Sequence, residues 1–139
     1  MQKTTTFQNI LRIVLGAFVL LAGIGHLTFQ REEFQAQVPD WVPLGKDLVV
    51  VLSGVVEILF GLGMILWTKQ KATIGVLLAV FLVLVFPGNV AQYTNGIDAF
   101  GLDTDQKRLI RLFFQPVLIA WALWSTGALA HLINKIKKQ

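Results

Sequence analysis

Four long apolar stretches, 10–29, 48–67, 72–90 and 109–132, alternate with short polar and charged segments along the chain. A helix rises 1.5 Å per residue, so about twenty apolar residues match a hydrocarbon core of roughly 30 Å. The pattern predicts an all-α membrane protein, a four-transmembrane-helix up-down bundle forming a single domain over 1–139. Only Thr68, Lys69, Gln70 and Lys71 join the second and third stretches, which forces a tight antiparallel hairpin. Pro87-Gly88 is expected to unwind the last turn of the third. The first stretch is longer than a signal-peptide core and no small-x-small cleavage pattern follows, so it is read as a retained span.

Composition agrees with that pattern. The 139 residues are 55% hydrophobic and 14% charged, more apolar surface than a small water-soluble fold can hide. The chain has no cysteine, so a disulfide framework, a thiolate metal site, an iron–sulfur cluster and a dithiol relay of its own are excluded. The net charge of +4 sits in short clusters between apolar runs rather than along one face, which reads as topology and not as nucleic-acid binding. Four crossings put Lys3, Arg12, Lys69, Lys71, Lys135, Lys137 and Lys138 on one side with no acid. Arg31, Lys46, Lys107, Arg108 and Arg111 lie on the other side with seven acids. The excess of basic residues places both termini in the cytoplasm. Trp41 and Trp67 fall at opposite interfaces, as anchors would. Glycines within the spans, among them Gly16, Gly23, Gly54 and Gly61, allow helix backbones to approach closely.

Polar side chains inside a bilayer are expensive and are the natural candidates for function. Glu57 lies about 15 Å along its helix from Asp47, near the midplane, with Ser53 one turn above and able to donate to its carboxyl. Such a carboxyl is either protonated or paired with a cation from another helix. His26, Asn89, Gln115 and Arg111 come from the other three spans and fall in the outer third of the bilayer. Together they outline a polar cup in the outer leaflet, with His26 and Glu57 as candidates for proton transfer and Ser53, Asn89, Gln115 and Arg111 as candidate ligand-binding groups. Each has a plainer alternative. Glu57 as a protonated interhelical bond, His26 as an interfacial side chain, and Asn89 and Gln115 as caps on carbonyls freed by Pro87 and Pro116 would need no ligand. The cytoplasmic half of the bundle reads as Leu, Val, Ile and Gly. One His and one Glu in the outer half are too few for a metal site, and His131 lies at the opposite face, which disfavours bis-histidine haem. The segment Val38-Pro39-Asp40-Trp41-Val42-Pro43 cannot be regular helix and is either a lid over the cup or a connector.

Gly23-x-x-His26, Val38-Pro39-x-Trp41-x-Pro43, Ser53-Gly54-x-x-Glu57, Phe86-Pro87-x-Asn89 and Arg111-x-x-x-Gln115, in that order, resemble the DoxX-like family of small bacterial four-helix integral membrane proteins. The resemblance covers roughly His26 to Trp124. It implies a multi-pass protein of the bacterial cytoplasmic membrane, whose relatives are often described as oxidoreductases or quinol-oxidase-associated subunits. With no cysteine, this chain departs from the dithiol-dependent membrane redox proteins. Three functions compete. The first is a redox-associated subunit that binds a quinone or other lipophilic small molecule, with no intrinsic cofactor and with a redox partner protein or a second copy as company. The second is a proton-coupled transporter that uses Glu57. The third is a scaffold that holds a partner enzyme through Lys135, Lys137 and Lys138.

Overall fold

The computed structural model describes residues 3–99 and 101–139, and all regular structure among them is helical. α1 (Thr6–Leu27) begins in a capping box: Gln8 N donates to Thr5 Oγ1 at 3.1 Å while Thr5 N donates to Gln8 Oε1 at 2.9 Å. The first apolar stretch follows directly. α2 (Arg31–Phe34) and one turn of 3₁₀ helix (Gln35–Gln37) come next, a helical segment that the charged Arg31-Glu32-Glu33 run concealed in the sequence. Residues 38–45 are not helical, as their prolines require. α3 (Lys46–Leu66) is the second apolar stretch.

α4 (Lys71–Leu84) and α5 (Phe86–Thr94) form one helical run interrupted only at Val85. Pro87 was expected to unwind the end of the third span near 90. Instead the chain pauses before the proline and the helix resumes, because Pro is well tolerated in a first turn, where its missing N–H has no intrahelical partner to lose. α6 (Asp105–Ser125) is capped by Thr104, whose hydroxyl accepts from Lys107 N at 3.1 Å. Arg108 then fastens the preceding connection, donating to Asp98 Oδ1 at 2.7 Å, Leu102 O at 2.9 Å and Asp105 Oδ1 at 2.8 Å.

The fourth apolar stretch, 109–132, is two helices rather than one. α6 ends at Ser125, and α7 (Ala128–Lys137) departs at 74°. Gly127 makes the turn at φ +76°, a left-handed conformation that costs an L side chain about 1 kcal/mol or more. Gly127→Ala should therefore lower stability by about 1 kcal/mol. Gly45→Ala, at φ −59° in open space, should not; thermal unfolding in detergent compares them. Thr6–Leu27, Lys46–Leu66 and Thr68–Thr94 are long and apolar enough to cross a bilayer, and α6 with α7 meets the same test only if the bent pair counts as one span.

α1 packs along α3, α4 along α6, and α1 against α6. The α1–α3 seam is set by glycine. A methyl built on Gly23 would lie 2.7 Å from the Gly54 carbonyl, and one on Gly61 2.8 Å from the Gly16 carbonyl, so the two helices touch backbone to backbone at two levels. Leu15, Val19, Met64, Ile74, Leu78, Leu82 and Ala122 fill the core. Phe18, Leu21, Leu59 and Leu66 are among many large apolar side chains that face outward.

Candidate functional site

All six residues singled out in the sequence line one cavity of about 640 Å³: His26 from α1, Ser53 and Glu57 from α3, Asn89 from α5, and Arg111 and Gln115 from α6. The connection between α1 and α3 adds Phe34, Gln37, Val38, Pro39 and Trp41 to the wall, so this segment covers the cavity. Val38 and Pro39 are buried and Trp41 is exposed. The floor is Leu15 and Leu78, both fully buried. The wall runs out to Phe18, Leu21 and Leu84, exposed on the apolar flank of the bundle.

Gly54 brings His26 over Glu57. A methyl at Gly54 would lie 2.6 Å from His26 Cβ, so only glycine lets the imidazole sit directly on α3. His26 Nδ1 is 3.0 Å from the Val50 carbonyl, which can only accept, so Nδ1 carries a proton. Nε2 then faces Glu57 Oε2 at 3.2 Å. The two groups are close enough to exchange a proton, yet Glu57 Oε2 accepts no hydrogen bond in this arrangement and is buried without one. The Phe34 ring stacks on the imidazole with centroids 3.5 Å apart, which fixes the ring from the third side. Ser53 was expected to donate to Glu57. It lines the cavity without doing so, and the partner of Glu57 is His26, from a helix 31 positions away in sequence.

Gln115 does not cap its own helix. Its Nε2 donates to the Leu82 carbonyl at 2.7 Å, just before the interruption at Val85, and its Oε1 accepts from Arg111 Nη1 at 3.2 Å. Gln115 is thus a strut between α4 and α6 that aims Arg111, whose guanidinium also lies 6.0 Å from the Phe114 ring. No acidic side chain forms an ion pair with Arg111 among the described residues, although the Glu57 carboxyl is within reach of its charge. Asn89 Oδ1 is buried without a donor. The groups left to meet a ligand are therefore Arg111 N–H, the Glu57 carboxyl, Ser53 and Asn89 Oδ1, while His26 and Gln115 hold them in place.

A lock above the cavity was missed by reasoning from the sequence. Gln37 Nε2 donates to Gln92 Oε1 at 3.0 Å, and Gln92 Nε2 reaches the Ile97 and Ala99 carbonyls. The signal was available in Gln92 lying three residues after Asn89, on one helix face. Between α2 and the start of α3, Arg31 Nε donates to Asp47 Oδ1 at 2.7 Å, and this pairing raises the guanidinium pKa above its ordinary value.

The opposite end of the bundle differs from expectation. Arg12 and Lys71, read in the sequence as topology signals, are 3% and 4% exposed. Polar groups thus occupy both ends of the bundle and not only the outer half. Long aliphatic stems let these cations lie between helices where carbonyl and hydroxyl oxygens receive them.

The family model described as a domain of unknown function, DUF8561, matches residues 15–126, a segment that contains every residue of the cavity named above. No curated protein and no solved structure matches the chain.

Proposed function

The chain belongs to the DUF8561 family, and from that premise we propose a membrane protein of four crossings with both termini cytoplasmic, which binds a quinone or similar lipophilic small molecule in the cavity beneath the α1–α3 connection. The observation that carries this reading is the convergence of Glu57, Ser53, Asn89 and Arg111, from three helices, on an otherwise apolar and aromatic cavity that extends to the lipid-facing flank. The motif resemblance to the DoxX-like proteins of the bacterial cytoplasmic membrane supports it.

A bound quinone would supply two-electron chemistry from a partner redox protein; the chain itself supplies position and protons. Arg111, aimed by Gln115, donates a hydrogen bond to a ligand oxygen. Glu57, backed by His26, holds the proton that such an oxygen exchanges. Binding is favoured over transport because the fully buried Leu15 and Leu78 close the inner end of the cavity.

Two measurements test the reading. Titration of the purified protein with a short-chain benzoquinone should give saturable quenching of tryptophan fluorescence, since Trp41 lines the cavity. Glu57→Gln and Arg111→Met should each weaken it about tenfold, the worth of one hydrogen bond to a charged group. Absent quenching, or quenching indifferent to both variants, would end the proposal. For topology, single cysteines introduced at Lys138 and Asp103 of this cysteine-free chain should differ in cells. A membrane-impermeant maleimide should label position 103 only, and labelling at 138 would reverse the orientation.

A further inference from the structure

At the end of the bundle away from the cavity, Arg12 of α1 and Lys71 of α4 are both nearly inaccessible, at 3% and 4% exposure. Arg12 Nη1 donates to the Met64 carbonyl, while Arg12 Nε is buried with no acceptor. Lys71 Nζ donates to Thr4 Oγ1 at 2.6 Å, and that hydroxyl in turn bonds Asn9 Oδ1 at 2.6 Å. Asn9 lies one turn before Arg12 on α1, so the hydrogen bonds from Lys71 through Thr4 to Asn9 bring the two cations to the same end of the bundle. Neither forms an ion pair among the described residues, and the eight acids of the chain, Glu32, Glu33, Asp40, Asp47, Glu57, Asp98, Asp103 and Asp105, all belong to the middle or the opposite end. α6 ends at the same level, where Gln8 Nε2 holds the Trp124 carbonyl at 2.8 Å and the neighbouring Ser125 Oγ is buried without a partner.

Two like charges buried against neutral oxygens are unfavourable unless an anion compensates them. Surface lysines used only for orientation would remain in water. A guanidinium and an ammonium from the N-terminal halves of α1 and α4, at one end of the bundle, suit a tetrahedral oxyanion, since the fork and the point charge each take different oxygens. We propose that Arg12 and Lys71 form a binding site for a phosphate-type oxyanion, separate from the cavity beneath the α1–α3 connection. The anion is either the headgroup phosphate of an anionic lipid in the adjoining leaflet or free inorganic phosphate.

Thermal unfolding in nanodiscs distinguishes these sources. In phosphatidylcholine alone, inorganic phosphate is titrated against chloride at equal ionic strength; in a second arm, phosphatidylglycerol replaces part of the phosphatidylcholine and no phosphate is added. Stabilisation in the first arm identifies free phosphate, and stabilisation in the second alone identifies the lipid; either supports the site. Native mass spectrometry should show phosphatidylglycerol retained over phosphatidylcholine in the lipid case. Arg12→Gln and Lys71→Gln should each lower the affinity about fivefold or more, whereas Lys137→Gln, an exposed charge, should not. Lys71→Arg should keep the response that Lys71→Met loses, so a folding failure of the Arg12 variant leaves the test intact. No response of the wild type in either arm, or equal responses of wild type, Lys71→Gln and Lys71→Met, overturns the proposal.

Discussion

Replacing Gly61 by valine is expected to separate α1 from α3 and to lower stability by about 3 kcal/mol, the upper end for overpacking a filled interface. The first atom added would lie 2.7 Å from both Leu20 Cβ and Leu20 N and 2.8 Å from the Gly16 carbonyl. None of these atoms can rotate away, so relief requires the helices to move apart, and Gly54 and Gly23 would then lose contact at the next level. Gly63→Ala is the control. There the nearest atom is Ile74 Cδ1 at 2.8 Å, the end of a flexible side chain, and the change should cost less than about 1 kcal/mol. Unfolding by SDS titration in mixed micelles, followed by circular dichroism, measures both; equal midpoints would mean that the α1–α3 seam does not depend on backbone contact.

The second large effect is expected at Gly88, where the roof of the cavity meets α5. A methyl there would overlap the Gln37 carbonyl, which belongs to the backbone and has no alternative rotamer. Gly88→Val should push the 3₁₀ turn and the buried Val38-Pro39 off α5 and break the Gln37–Gln92 bond. Hydrogen exchange over 35–42 should rise while that of α1 and α3 stays slow. Quinone quenching should weaken more than about tenfold, beyond the Glu57→Gln effect, because the wall itself is displaced. Unchanged exchange at 35–42 would show that the roof does not rest on α5.

Much of this could be read without coordinates. Hydropathy located the long helices, the prolines at 39 and 43 located the non-helical segment, and the cost of polar groups in lipid picked out the residues that line the cavity. The roles within that set were not readable, because hydrogen-bond partners lie far apart in sequence. Glu57 meets His26 and not Ser53, its neighbour one turn away. Gln115 meets Leu82 rather than the carbonyl that Pro116 frees on its own helix. The burial of Arg12 and Lys71 was not readable for a similar reason: charge near a helix end marks topology on average, and only the packed neighbours decide whether a long side chain turns outward or inward.

By itself, then, the sequence determined the helical class, the apolar spans up to their ends, and the identity of the polar residues inside them, since each follows from local composition and the 1.5 Å rise. Only the tertiary structure decided that α6 stops at Ser125 and α7 turns away by 74° after Gly127, that Val85 rather than Pro87 interrupts the third run, and that His26 sits against Glu57. The turn into α7 depends on the left-handed Gly127, and the meeting of His26 with Glu57 on the backbone approach at Gly23 and Gly54. There the absence of a side chain sets which helices meet and therefore which polar atoms face one another.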